Sequence, residues 1–267
     1  MPPLNDSIIR LLSKIDAEKT HLHKVCPVVP GVLFYSVGHG NPKQSQLAAN
    51  RKIYDSDHKL NRTYRQYVTS KDFDRYRWHL EKESWIAYGE NLAEPRFYFP
   101  FDLTPKIIVK KSKGGISAHL DDHGYVTPAN IYNLMVRKKI MKYHYLLGIL
   151  NSTLLRWWYK YKYIIHNPRD EAQIVLLLLK KLPLVIPSED DRKITDRIAS
   201  CAAKLVQCHK DQGEMEQNEL WQELKNEIIQ TDLEIDRLVY TLYGLSEEEV
   251  RIVEAKTENL EAKIHLL

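Results

Sequence analysis

Between Arg156 and Tyr163, three cations alternate with flat rings: Arg156, Lys160 and Lys162 against Trp157, Tyr159, Tyr161 and Tyr163. Such a mixture suits a polyanion with planar faces, because cations neutralise phosphate and rings stack on or wedge beside bases. The same stretch also fits an amphipathic helix whose lysines are merely solvated. Three further basic clusters lie upstream. Arg62, Arg65, Lys71, Arg75 and Arg77 form the densest, and arginine can reach guanine edges bidentately. Arg75 and its neighbour Tyr76 also fit a packing role. Lys110, Lys111 and Lys113 flank a turn that can present them to phosphate or simply to water. Arg137, Lys138, Lys139 and Lys142 read as the best phosphate clamp.

The net charge of +4 conceals a strong segregation along the 267 residues. Residues 43–113 carry 15 Lys/Arg against 9 Asp/Glu, and residues 137–181 carry 10 against 2. The tail from Ser188 to Leu267 reverses this, with 10 against 19. A basic body with an acidic tail points to a nucleic-acid or acidic-surface partner for the body alone. The longest apolar run, Ile174 to Leu179, is far too short to span a bilayer, and no leader-like pattern opens the chain. Cys26, Cys201 and Cys208 are too few and scattered for a disulfide framework. Cytoplasmic placement is expected, with no membrane partner.

The elements that must position these cations follow from periodicity. Residues 4–18 predict a short amphipathic helix, and Thr20 to Tyr35 predicts short β runs broken by Pro27, Pro30 and Gly31. Strands are expected over 84–88 and 106–111, and again in the hairpin-like stretches from Ile116 to Val136. Leu146, Leu147, Ile149, Leu150, Leu154, Leu155 and Trp158 recur at the spacing of one helix face, so one central helix is expected from Tyr143 onward. Asn151 and Ser152 then sit mid-helix and read as structural. Ile174 to Leu179 reads as a last strand, with Leu182 to Pro187 as the exit segment. The tail is helical: Ser188 with Asp191 and Ser246 with Glu249 resemble capping boxes. Trp221, Leu224, Ile228, Thr231, Ile235, Leu238 and Leu242 form a heptad-like seam, closed by Gly244. The expected fold class is α/β (α+β), a mixed and largely antiparallel sheet body with a helical C-terminal extension. Three units are expected: an N-terminal helix at 1–19, a body at 20–187 and an acidic helical extension at 188–267.

Other chemistry is weaker. His119, Asp121, Asp122 and His123 have metal-ligating side chains, but Asp-Asp-His-Gly is ordinary turn chemistry and zinc recruits a second, distant pair. His21, His23 and Cys26 lack support in the same way. Asp191-Arg192-Lys193 matches half of a nuclease motif but sits where a helix start wants an acid. No metal site is expected.

Four phrases, in order, carry a family resemblance. They are Val68-Thr69-Ser70-Lys71-Asp72-Phe73-Asp74-Arg75-Tyr76; Pro105 to Lys110 continuing through Asp121 to Tyr125; Tyr145-Leu146-Leu147-Gly148-Ile149-Leu150-Asn151-Ser152 with Leu182-Pro183-Leu184; and Glu234 to Glu249. As a set they resemble the C-terminal target-recognition (specificity) domain of TaqI-like adenine-specific DNA methyltransferases and the related fused restriction–modification enzymes. The likeness runs over roughly residues 20–255. It implies a domain that reads double-stranded DNA across a basic cleft from a catalytic domain, which binds S-adenosylmethionine and flips the target adenine. That catalytic half is not expected here. Asn41-Pro42 and Asn167-Pro168 are followed by Lys43 and Arg169, so neither makes the Asn-Pro-Pro-aromatic loop that holds a flipped base. Gly38-His39-Gly40 lacks the strand–loop–helix context of a cofactor loop. No catalytic residue and no cofactor are therefore expected in this chain, with S-adenosylmethionine belonging to the catalytic partner. The parent activity implied is adenine-specific DNA methylation, with or without an endonuclease. A different class of reading remains: a protein–protein module working through its helical tail.

Overall fold

The computed structural model describes residues 6–17, 19–99, 101–111, 115–137, 140–166, 174–216 and 218–255. In chain order the elements begin with α1 (Asp6–Asp16), β1 (Thr20–His21), α2 (Leu22–Val25), β2 (Val28–Pro30) and α3 (Gln46–Arg51). Short strands follow: β3 (Asp55–Ser56), β4 (Tyr64–Gln66), β5 (Phe73–Asp74), β6 (Arg77–Trp78) and β7 (Trp85–Ala87). Then come β8 (Lys106–Lys110), β9 (Ala118–Asp121) and β10 (Ile131–Leu134), with α4 (Tyr143–Asn151) and α5 (Thr153–His166) after them. The chain continues through α6 (Leu176–Lys180), β11 (Pro183–Leu184), α7 (Arg192–Glu214), α8 (Glu219–Leu242) and α9 (Glu247–Glu254). The class is the expected mixture: small antiparallel sheets in the body and helices at the C-terminal end. None of the described helices is long and apolar enough to cross a membrane.

A four-stranded sheet in the order β2-β10-β8-β9 forms the body, with every pairing antiparallel. Ile107, Ile108 and Val109 of β8 are all buried, as a central strand covered on both faces requires. Its free edge, β9, is closed by Asn151. The Asn151 Oδ1 accepts from the Ala118 N–H and its Nδ2 donates to the Ala118 carbonyl, both at 2.9 Å. One amide thus does for this edge what a neighbouring strand would do. A smaller sheet, β3-β7-β4, has its own core of Val32, Phe34, Ile86, Leu92, Phe99, Phe101 and Val126. The β5–β6 hairpin stands beside the body sheet, with Phe73 opposite Trp78 and Asp74 opposite Arg77.

α4 is the centre of the helical layer. Every residue from Tyr145 to Asn151 is buried, because β8 and β9 cover one side and α7 and α8 the other. A helix apolar all round can only be stable in such a place. Gly148 sets the α4–α7 approach, since a Cβ there would lie 2.7 Å from the Ile198 Cγ2 and 3.5 Å from the Ala202 Cβ. Gly148→Val is expected to cost about 1–3 kcal/mol by overpacking, read as a lower urea midpoint with unchanged slope. The main core joins Ile8, Leu11 and Ile15 of α1 to α4, α5 and the C-terminal helices, reaching Ile235 and Val239 of α8 and Val253 of α9.

Two local expectations are corrected. The helix begun at Tyr143 does not run through: Ser152 breaks it with an extended backbone, φ −63° and ψ 149°. The Ser152 Oγ donates to the Ile149 carbonyl and accepts from the Leu155 N–H, so it ends α4 and starts α5. The Ile174–Leu179 run is no strand; four consecutive leucines form α6, and the strand there is Pro183–Leu184, paired with Thr20–His21. A short, wholly apolar run carries no period to separate helix from strand, and leucine favours the helix. In the tail, the Ser246–Glu249 capping box forms in full. Ser188 instead bonds Asp191 while Asp191 serves as N-cap without a side-chain cap bond.

Candidate nucleic-acid interface

The aromatic half of the Arg156–Tyr163 ladder is unavailable for stacking on bases. Trp157, Trp158, Tyr159, Tyr161 and Tyr163 are all at most 5% exposed. The rings pack inward because α5 is covered by α1, α6, α8 and α9. Trp158 Nε1 donates to Asp16 at 2.7 Å, and Lys162 pairs with the same carboxylate at 2.5 Å. Tyr159 Oη accepts from the Val175 N–H at 2.6 Å. Arg156 and Lys160, one turn apart on α5, and Lys162 keep half-exposed positions.

The β8 register sorts the remaining cations into two ends of the sheet. At its C-terminal end stand Lys110 and Lys111, beside Ile131 of β10 and Ala118 of β9. Lys71 is brought to the same end by a bridge: Ser70 Oγ accepts from Asn130 Nδ2 at 3.1 Å, and the Asn130 carbonyl accepts from the Lys111 N–H at 2.8 Å. Arg156 belongs here as well, since a Cβ on Gly115 would lie 3.8 Å from its side chain. At the opposite end, Arg65 on β4 pairs with Asp102 at 3.1 Å and lies over the Tyr88 ring. Arg137 follows β10 at that end too. Arg62 is exposed just before β4. Lys113, Lys138 and Lys139 lie outside the described residues.

The structure also separates cations already committed from those that face water. Arg75, in the β5–β6 turn, makes a bidentate pair with Asp232 of α8 at 2.8 and 2.9 Å. The Asp232 charge raises the Arg75 pKa against the desolvation that lowers it. Its neighbour Tyr76 holds φ +60° and is buried. A bulky residue in the left-handed region is costly, and the hairpin tolerates it while Tyr76 fills the core and Arg75 ties the body to α8. Lys110 pairs with Asp74 and lies 5.4 Å from the Phe73 ring centre. By contrast Arg62, Lys71, Lys111 and Arg137 are exposed and form no ion pair among the described residues. Burial, then the charge of Arg77, half-buried on β6, lowers the pKa of His209 on α7.

Asp121 is not set up as a metal ligand. Its Oδ1 accepts from the His123 and Gly124 N–H groups, its Oδ2 accepts from the Tyr125 N–H, and it forms an ion pair with Lys106. His119 is 1% exposed, edge-on to Trp78 at 4.4 Å, and burial pushes its pKa down to about 3, so it is a neutral packing group. Residues that sequence reasoning missed are mostly partners: Asn130 and Asp232 carry no local signal, because what they join is distant in the chain.

Residues 65–184 match one family model. It is the TaqI-like C-terminal specificity domain. The matched region runs from β4 to β11 and includes the β8–β10 strands, α4 and α5. The chain is also 28% identical, over 145 residues, to a Methanocaldococcus jannaschii protein described as a type II restriction enzyme and methyltransferase. That match covers 53% of this chain and 12% of the relative. Among solved structures, the type IIL restriction-modification enzyme MmeI in complex with DNA aligns with TM-score 0.47 and 9% identity, over 88% of this chain and 36% of that one. The chain thus spans far less than the length of either protein, and its residues 65–184 are similar to a specificity domain of restriction–modification enzymes.

Proposed function

We propose that this chain is the sequence-recognition domain for double-stranded DNA of an adenine-specific methyltransferase or restriction–modification system. The catalytic, S-adenosylmethionine-binding module is supplied outside these residues. The observation that carries the reading is the cationic edge at the C-terminal end of β8, where Lys71 and Lys111 are held together through Ser70 and Asn130 and form no ion pair among the described residues. Cations held at the end of a rigid sheet, solvated and near one another, suit phosphate positioning. The acidic helices α7 and α8 do different work: Asp232 and Asp236 bind Arg75 and Thr153 of the body, so part of the tail's charge is spent on bracing. The domain division at residues 19 and 187 belongs to the same proposal.

Selection from a pool of randomised duplexes tests this reading. The chain is expected to enrich one short motif; duplex binding with no enriched motif would overturn sequence recognition. The protein–protein alternative rests on the α8 seam, yet Thr231, Ile235 and Val239 are already buried within the chain.

A further inference from the structure

We propose that the groove beside Lys71 reads base edges, and that Asp55 is the residue that sets its specificity, taking an exocyclic amino group of adenine or cytosine. The inference rests on the DNA-recognition reading and deepens it. The groove has a volume of about 720 Å³ and lies between α3, β3 and the segments on either side of the β5–β6 hairpin. Exposed Arg51, Lys52, Lys71 and Lys82 form its rim, while half-buried Asp55 and Thr69 lie deeper. Exposed Glu81 and Glu83 also line it. A trough for phosphate alone would exclude carboxylates. A groove with both signs matches base edges instead, where cations reach guanine and phosphate and carboxylates accept from amino groups.

Asp55 is the one carboxylate in the groove held from two sides by phenols. Tyr35 Oη donates to its Oδ1 at 2.7 Å and Tyr67 Oη to its Oδ2 at 3.0 Å. Tyr35 is fixed in turn, accepting from the Tyr54 N–H at 2.9 Å and stacking on the Tyr54 ring at 5.8 Å with 4° between planes. Each carboxylate oxygen keeps lone-pair capacity beyond its phenol bond. An acceptor whose position is set before the ligand arrives discriminates well, because a base without the amino group leaves it unpaired. Lys71 connects this groove to the cationic edge, so phosphate contacts there fix the register in which the groove meets a base.

A purely structural Asp55 would simply staple β3 to Tyr35 and Tyr67, and the test separates the two roles. The full chain, Asp55→Asn and Tyr67→Phe are each taken through selection on randomised duplexes, with urea midpoints measured alongside. Asp55→Asn is expected to keep salt-dependent duplex binding and lose discrimination at one base pair by about 5- to 150-fold. Tyr67→Phe keeps the carboxylate but removes one tether, and is expected to weaken discrimination at the same position by less. An Asp55→Asn motif identical to that of the unaltered chain overturns the assignment. So does a uniform loss of binding that tracks a lost midpoint, unless Tyr67→Phe, still folded, shifts preference at a single position. An unaltered chain that enriches no motif overturns the recognition reading, and this assignment with it.

Discussion

Asp121→Ala is expected to lower folding stability by about 3–5 kcal/mol, the usual cost of stranding one partner of a buried ion pair. Lys106 and Asp121 face each other across the β8–β9 register, and both side chains are fully buried. After the substitution the Lys106 ammonium keeps, among the described residues, only the Phe101 carbonyl at 2.8 Å. Three N–H groups of the following turn, those of His123, Gly124 and Tyr125, also lose their acceptor. Burial already lowers the Lys106 pKa, so the lysine can shed its proton, which caps the loss. The double change Lys106→Met with Asp121→Leu removes the stranded charge and is expected to recover part of the stability. The turn N–H groups remain open, so recovery is incomplete. Urea unfolding of the three proteins checks the order; a single Asp121→Ala within 1 kcal/mol of the unaltered chain contradicts it, a margin of the size left by surface changes.

Asp236→Asn is expected to gain stability over the unaltered chain as pH rises from about 4 to 7.5, by on the order of 3 kcal/mol. Burial, then the nearby Asp232 charge, pushes the Asp236 carboxyl up to about 6, and the bonds from Thr153 only partly offset this. The unfolded carboxyl titrates near 3.9. Between those values the native state holds the extra proton, so this group's contribution is full below the unfolded pKa and is lost as pH rises through about 6. Asparagine keeps an acceptor for the Thr153 N–H and carries no charge. The unaltered chain's own profile is a poor test, because His209 works the opposite way. Its pKa is pushed down to about 4 by burial, so it withdraws stability as pH falls from 6.5 towards 4. Comparing the two proteins at pH 4.5 and 7.5 cancels the histidine. A gap that stays constant, or that narrows at the higher pH, contradicts the account.

What the sequence showed and what it hid divide along a physical line. The strands around Ile107–Val109 and Ile131–Leu134, α1, and the Ser246–Glu249 cap were legible because period and capping chemistry are local. The ladder at Arg156–Tyr163 misled because alternation of cations and rings does not say which side is covered. α5 is enclosed by helices from both ends of the chain, and its rings turned out to be core. The Ser152 break was hidden because Leu154, Leu155 and Trp158 continue the apolar face beyond it. Among the basic candidates, Arg75 and Lys71 lie four residues apart and look alike in sequence. Asp232, far down the chain, engages the first, while Asn130 holds only the loop that carries the second. Long-range partners of this kind leave no trace in spacing.

The account's central claim is that the edge formed by Lys71 and Lys111 meets the phosphates of duplex DNA. It is tested most directly by titrating one duplex at salt concentrations from about 50 to 200 mM, with the unaltered chain and with Lys71→Gln combined with Lys111→Gln. The account predicts a logarithm of affinity that falls linearly with the logarithm of salt for both, with the double variant's slope shallower by about two. Equal slopes for the two proteins, or an unaltered chain whose binding is absent or indifferent to salt, would contradict it.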